Sequence, residues 1–170
     1  RYILVVGGEH ARKNYETLLE GWLAYRKSCP EDQIPIVWVG YACNEYTGSF
    51  IKDAKPYINS GEIIHLEKVP RQWLNQLFTQ ATAFVVASHD EGFSMPPVEA
   101  QQFGCPVIAS DIQVHRWVLG KGARFFDGQK PQQLQKQLIE LLSLEAKDMK
   151  DNLIALGKKN ATRFYKEEVD

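Results

Sequence analysis

The 170 residues suffice for one well-buried domain and fall short of two. Hydrophobic content of 44% and charged content of 24% are ordinary for a globular protein, and a net charge of −1 argues against nucleic acid as a partner. No apolar run is long enough to span a bilayer, and three widely spaced cysteines, Cys29, Cys43 and Cys105, argue against a disulfide framework or a zinc site. Free thiols and a cytoplasmic location are expected, with Cys105 a small buried filler between Gly104 and Pro106.

The chain enters an apolar run at once, Tyr2 to Val6, without a leader, which reads as the start of a fragment. A loop from Gly7 to Asn14 follows. Tyr15, Leu18, Leu19, Trp22 and Leu23 then recur at helical spacing. Ile36 to Val39 and Ile63 to Leu66 read as strands. Trp73, Leu74, Leu77 and Phe78 return to helical spacing, and Phe84 to Ala87 is again a strand. Val107 to Ala109 and, more weakly, Ala123 to Phe126 complete the strand set, with Gly120-Lys121-Gly122 as a turn. Leu134, Leu138, Leu141 and Leu142 mark a helix, and Lys150 to Tyr165 reads as the last one.

These strands are apolar on both faces, as buried parallel strands are. Strands alternating with helices predict an α/β fold: a doubly wound, Rossmann-like parallel sheet of about six strands with helices on both faces. In such sheets ligands bind at the carboxyl ends of the strands. That rule puts two loops on the functional edge, one after Val6 and one after Ala87.

In the first loop, Gly7 and Gly8 let backbone approach a ligand closely. Arg12 and Lys13 arrive at a helix start, where their charge opposes the helix dipole unless an anion is present. Such cations suit phosphate, but an exposed Arg-Lys pair also serves simply to solvate a surface. The loop is neither GxxxxGK[ST] nor GxGxxG. In the second loop, Glu91-Gly92-Phe93-Ser94-Met95-Pro96-Pro97-Val98-Glu99 runs from strand to helix. Pro96 and Pro97 suit a first helical turn. Backbone N–H groups there favour an anion, and carboxylates beside it can accept from hydroxyls. The plainer alternatives are a solvated Asp90-Glu91 pair and a Glu99 that only complements the dipole. Phe93 is expected to pack beneath the site.

Together the two loops resemble the nucleotide-sugar-binding half of retaining glycosyltransferases of family 4, which have the GT-B fold. Glu91 to Glu99 is similar to that family's E-x7-E motif. Gly104 to Ser110 resembles its GxPVxAS segment, Gly7 to Asn14 its VGxxxxRKN segment, and Asp111 to Asp127 and Gly157 to Tyr165 the stretches that follow. The resemblance implies that Lys13, with Arg12 beside it, contacts the donor diphosphate. Glu91 would take the donor sugar hydroxyls, and Gly92, Phe93, Ser94 and Met95 would offer backbone N–H groups. Glu99 would hold the ribose, and the segment from Val69 to Leu74 would seat the base. Three departures stand out: Gly8 where many members carry Arg, Ser or Thr, Ser94 in place of a second glycine, and His115-Arg116 in place of a proline-glutamate pair.

The function so implied is transfer of a sugar, with retention, from a nucleoside diphosphate sugar to an acceptor hydroxyl, with Lys13, Arg12 and Glu91 as the catalytic set. It further implies a mannosyltransferase-like place in polysaccharide biosynthesis, and no cofactor or metal. The acceptor glycan or lipid-linked sugar would be met by an N-terminal domain that this chain lacks, and the full enzyme would touch the membrane peripherally. Residues 1–170 are then one donor-binding domain, expected to turn over little alone. The rivals are a non-catalytic nucleotide-sugar-binding module, an epimerase-like domain, and a doubly wound signalling domain. A glycosidase pair of Glu91 and Glu99 is disfavoured because a helix start stabilises the anion, which suits an acceptor better than an acid.

Overall fold

The computed structural model describes residues 1–41 and 49–165; Cys43 lies outside them. Among the described residues, six strands form one parallel sheet: β1 (Ile3–Val6), β2 (Ile36–Val39), β3 (Ile63–Leu66), β4 (Ala83–Val86), β5 (Val107–Ser110) and β6 (Ala123–Phe126). The order across the sheet is β3-β2-β1-β4-β5-β6. Ile3 pairs with Ile36 on one side of β1 and with Ala83 on the other. The strand order therefore reverses between β1 and β4, which opens a crevice at their carboxyl ends. Each expected strand is present within a residue of its predicted bounds, a shift of the size that helix and strand ends always carry.

Among the described residues seven α-helices accompany the strands: α1 (Tyr15–Ser28), α2 (Ser49–Asn59), α3 (Arg71–Gln80), α4 (Met95–Gln102), α5 (Gln113–Leu119), α6 (Pro131–Leu142) and α7 (Lys147–Ala161). Neither α2 nor α5 is predicted from periodicity. α2 carries Pro56 inside it and α5 has seven residues, so neither gives a clean helical signal. α7 starts three residues before the expected Lys150 and stops at Ala161, because a 3-10 turn, Leu144–Ala146, runs directly into it.

Alternation along each strand sends side chains to two separate cores. Ile3, Val5, Trp38, Val85 and Ile108 pack with Leu18, Trp22, Leu134 and Leu138 of α1 and α6. Leu4, Val37, Phe84, Val86 and Val107 pack with Phe78, Val98, Val118 and Leu119 of α3, α4 and α5. α7 passes from one to the other, with Leu153 in the first core and Ala161 in the second. Cys105 is buried in the second core, and burial pushes its thiol far up, so it is a packing residue as expected.

Two glycines fix the mouth of the crevice. Gly7 has φ 146°, a backbone conformation that disfavours a side chain. A Cβ on Gly40, just after β2, would stand 1.9 Å from the Gly7 carbonyl oxygen. That oxygen also accepts from Tyr15 Oη at 2.7 Å and Trp38 Nε1 at 2.8 Å, so the loop leaves β1 along a fixed path.

Candidate functional site

Arg12 and Lys13 do not sit at the start of α1. They lie in a 3-10 turn, Ala11–Lys13, which Asn14 ends in the left-handed conformation at φ 54°. The buried Asn14 side chain donates to Ala87 O at 3.0 Å and Gly128 O at 2.7 Å, tying the loop after β1 to those after β4 and β6. The backbone adds a tie, His89 N donating to Arg12 O at 2.8 Å. The two loops expected to share an edge are thus bonded to each other.

The charge conflict expected at Arg12-Lys13 is answered by Glu91. Lys13 Nζ donates to Glu91 Oε1 at 2.6 Å, Ser88 Oγ donates to the same oxygen at 2.7 Å, and Arg12 pairs with Oε2. The Glu91 side chain is 5% exposed and Lys13 13%, while Arg12 reaches solvent at 42%. Burial disfavours the Glu91 anion, but hydrogen bonds from Lys13 and Ser88, the Lys13 charge and Arg12 outweigh it. They hold the carboxyl below its ordinary value of 4.5. The solvated-acid reading of Glu91 is excluded. Its carboxylate offers about four acceptor positions, of which three face these donors, so one is left for a hydroxyl.

The remaining expected residues fall into two groups. Gly7 lies beside the Lys13 stem, where an added Cβ would stand 3.3 Å from Lys13 Cε. Gly8 is exposed and meets only ordinary contacts with Tyr41, so a larger residue fits there. Gly92 faces open space. Phe93 is half-buried and meets Trp117 and Phe164 edge-on, with centroids 5.9 and 5.1 Å away, packing against the second core as expected. Ser94 is buried in the left-handed region at φ 72°, the conformation that favours glycine at this position. Met95 opens α4, and Pro96 and Pro97 in the first turn lack N–H groups. The free donors at this helix start are therefore those of the loop and Met95.

Glu99 is not in the first turn of α4; it is the helix's fifth residue, so the dipole does not account for it. Its partner is Arg71, the first residue of α3, with Nη2 2.7 Å from Oε1. The buried hydroxyl of Tyr165 lies within electrostatic range of both. Val69 and Leu74 flank Arg71 and are half-buried against the second core. A small cavity of about 150 Å³ opens there between Leu66, Val69, Trp73 and Leu77. The acidic-basic cluster of Lys13, Arg12 and Glu91 and the Glu99–Arg71 pair are thus two centres on one segment. Larger clefts of 380 and 460 Å³ lie elsewhere, one at the amino end of β1 and one between α1 and α2, and neither gathers these groups. Among the described residues no group of three or more His, Cys, Asp or Glu side chains forms a metal cluster, and no helix is long and apolar enough to cross a membrane.

The geometry adds Ser88 and gives individual partners to Asn14 and Arg71, which the sequence named only within their segments. The signal for Asn14 was present, since Asn tolerates the left-handed conformation after a helical turn. Ser88 gave none, and neither did the pairing of Arg71 with Glu99, because the two lie on different helices.

This arrangement can be set against known proteins. The model of the family described as glycosyl transferases group 1 matches residues 1–160. The chain belongs to this family. The O-antigen chain mannosyltransferase RfbU of Salmonella typhimurium is 31% identical over 124 residues, which are 73% of this chain and 33% of that protein. The serotype-specific mannosyltransferase WbdA of Escherichia coli is 33% identical over 89 residues, 52% of this chain and 11% of WbdA. The crystal structure of the C-terminal domain of a glycosyl transferase group 1 family protein, LpcC of Francisella tularensis, has a TM-score of 0.80 at 20% identity. The match covers 98% of this chain and 87% of that one. The fold is thus the Rossmann-like half of a GT-B glycosyltransferase. The chain spans between 10% and 42% of the length of the curated relatives it matches.

Proposed function

We propose that this chain is the donor-binding domain of a retaining glycosyltransferase that moves a sugar from a nucleoside diphosphate sugar to an acceptor hydroxyl. The observation that carries the reading is the Lys13–Glu91–Arg12 cluster at the crevice between β1 and β4, where the switch in strand order provides a ligand site. In this reading the diphosphate meets Lys13 and Arg12, with the N–H groups of the loop from Gly92 to Met95. A sugar hydroxyl uses the open acceptor position of Glu91. Glu99 and Arg71 meet the ribose end, and the base lies against Val69 and Leu74. Gly7 and Gly8 leave room for backbone approach.

The chemical task is to stabilise negative charge on the departing diphosphate, a role for preorganised cations and backbone donors. Lys13 is held by a carboxylate whose own burial keeps it in register, so its ammonium needs no reorganisation as charge develops. The reading assigns that task to this chain's own groups and expects no metal or cofactor. The names of RfbU and WbdA favour mannose as the sugar and an O-antigen-like glycan as the acceptor. The acceptor would be bound by a further domain, with the full enzyme cytoplasmic and peripheral to a membrane.

The test is a titration of GDP, UDP, ADP and their sugars against the protein, followed by backbone amide shifts. One nucleotide is expected to bind, with shifts confined to the loops after β1 and β4 and to α3. Lys13→Ala and Glu99→Ala are each expected to weaken it roughly tenfold or more, the scale of a lost charge-assisted hydrogen bond. Absence of binding at millimolar concentration would sink the reading.

A further inference from the structure

Two of the three departures from the family pattern, Ser94 and His115, touch each other. His115 is fully buried on α5, twenty-one positions from Ser94. Its Nε2 stands 3.3 Å from Ser94 Oγ, and its Nδ1 stands 2.9 Å from Ser110 O and 3.1 Å from Ser110 Oγ. Proton counting fixes the roles. Ser110 Oγ donates its single hydrogen to Ser88 O at 2.5 Å, so it can only accept from His115. The Ser110 carbonyl can also only accept. Nδ1 must therefore carry the proton, and in the neutral ring Nε2 is left as acceptor for the Ser94 hydroxyl. Burial pushes the imidazole down, the direction that keeps it neutral.

This pair stands at a strained point. Ser94 adopts φ 72°, where a residue with a side chain is disfavoured unless its surroundings hold it. The same polar network continues to the other end of the loop, because Ser88, whose carbonyl Ser110 binds, donates to Glu91 Oε1. Both ends of the loop, Glu91 and Ser94, are thus anchored to the end of β5 through buried hydroxyls and one imidazole.

We propose that His115 is a positioning residue for the donor loop: it clamps the Ser94 hydroxyl and so holds the left-handed turn that aims the N–H groups of Phe93, Ser94 and Met95. In this chain a serine-histidine clamp replaces the freedom of a glycine. The proposal rests on the donor-site reading above, and its tests separate the two.

The variants are chosen to fold. Ser94→Gly relieves the positive φ while deleting the hydroxyl, and His115→Asn keeps a donor toward Ser110 O while losing reach to Ser94. His115→Gln keeps an acceptor near the Nε2 position. Amide hydrogen exchange needs no ligand: Ser94→Gly and His115→Asn should each speed exchange at residues 92–95 several-fold, with β1 and β5 unchanged, and His115→Gln should restore slow exchange. Unchanged exchange in both would overturn the proposal. Titration with GDP-mannose, UDP-glucose and ADP-glucose gives the second readout. Against the sugar that binds the wild type, each single variant should lose roughly three- to tenfold in affinity, the scale of one hydrogen bond. The double variant should lose no more than either single one, since the two residues act as a unit. Additive losses, or none, would contradict the clamp. A wild-type protein that binds no nucleotide sugar counts against the donor site, while the exchange result still decides the clamp.

Discussion

Glu91 changed most between sequence and structure. Its place in the motif suggested a partner for sugar hydroxyls; its geometry makes it first the counter-ion of Lys13 and Arg12. No sequence pattern reveals which carboxylate meets which cation across 78 positions, so this pairing had to come from the fold. Glu91→Gln places an NH₂ group against either Ser88 and Lys13 or Arg12, and should cost about 1–3 kcal/mol in thermal unfolding. The pH profile gives an independent reading. The folded Glu91 titrates below its ordinary value of 4.5, so its contribution is complete above that pH and is lost as pH falls toward the lower folded value. Wild type should therefore lose stability on acidification below pH 4.5 more steeply than Glu91→Gln. Parallel profiles would show that the cluster contributes nothing to folding.

At the scale of elements, the four inner strands were readable because each is apolar on both faces, the edge strands β3 and β6, which carry His65 and Arg124, as short apolar-rich runs, and so were the helices with long apolar stripes. The short α5 was not, and with it went the setting of His115. The loop from Glu91 to Ser94 stood out in the sequence as a candidate ligand loop, but its reason for holding shape did not. Gly92 makes the distinction testable. It has no neighbour within 4 Å and no positive φ, so the fold does not require a glycine there. Gly92→Ala should leave the unfolding free energy within about 0.5 kcal/mol of wild type in thermal unfolding, as surface substitutions do. It should nonetheless weaken nucleotide-sugar binding, measured by calorimetry. A stable variant with unchanged affinity would remove Gly92 from the site.

At the scale of the molecule, the two cores explain why the site stays put. β1 and β4 are neighbours buried on both faces, so the loops leaving them have fixed roots. In the proposed reading this chain forms one wall of a cleft, and a further domain holds the acceptor opposite it. Incubating the 170 residues with a nucleoside diphosphate sugar and simple glycan acceptors should give donor binding without appreciable transfer. Brisk transfer by the chain alone would contradict the assignment of acceptor binding to a further domain. The central claim, that Lys13 at the β1–β4 crevice holds the donor diphosphate, is tested most directly by phosphorus NMR of the bound nucleoside diphosphate. Both phosphate signals should shift on adding wild-type protein and stay near their free positions with Lys13→Ala. Equal shifts with the two proteins would contradict it.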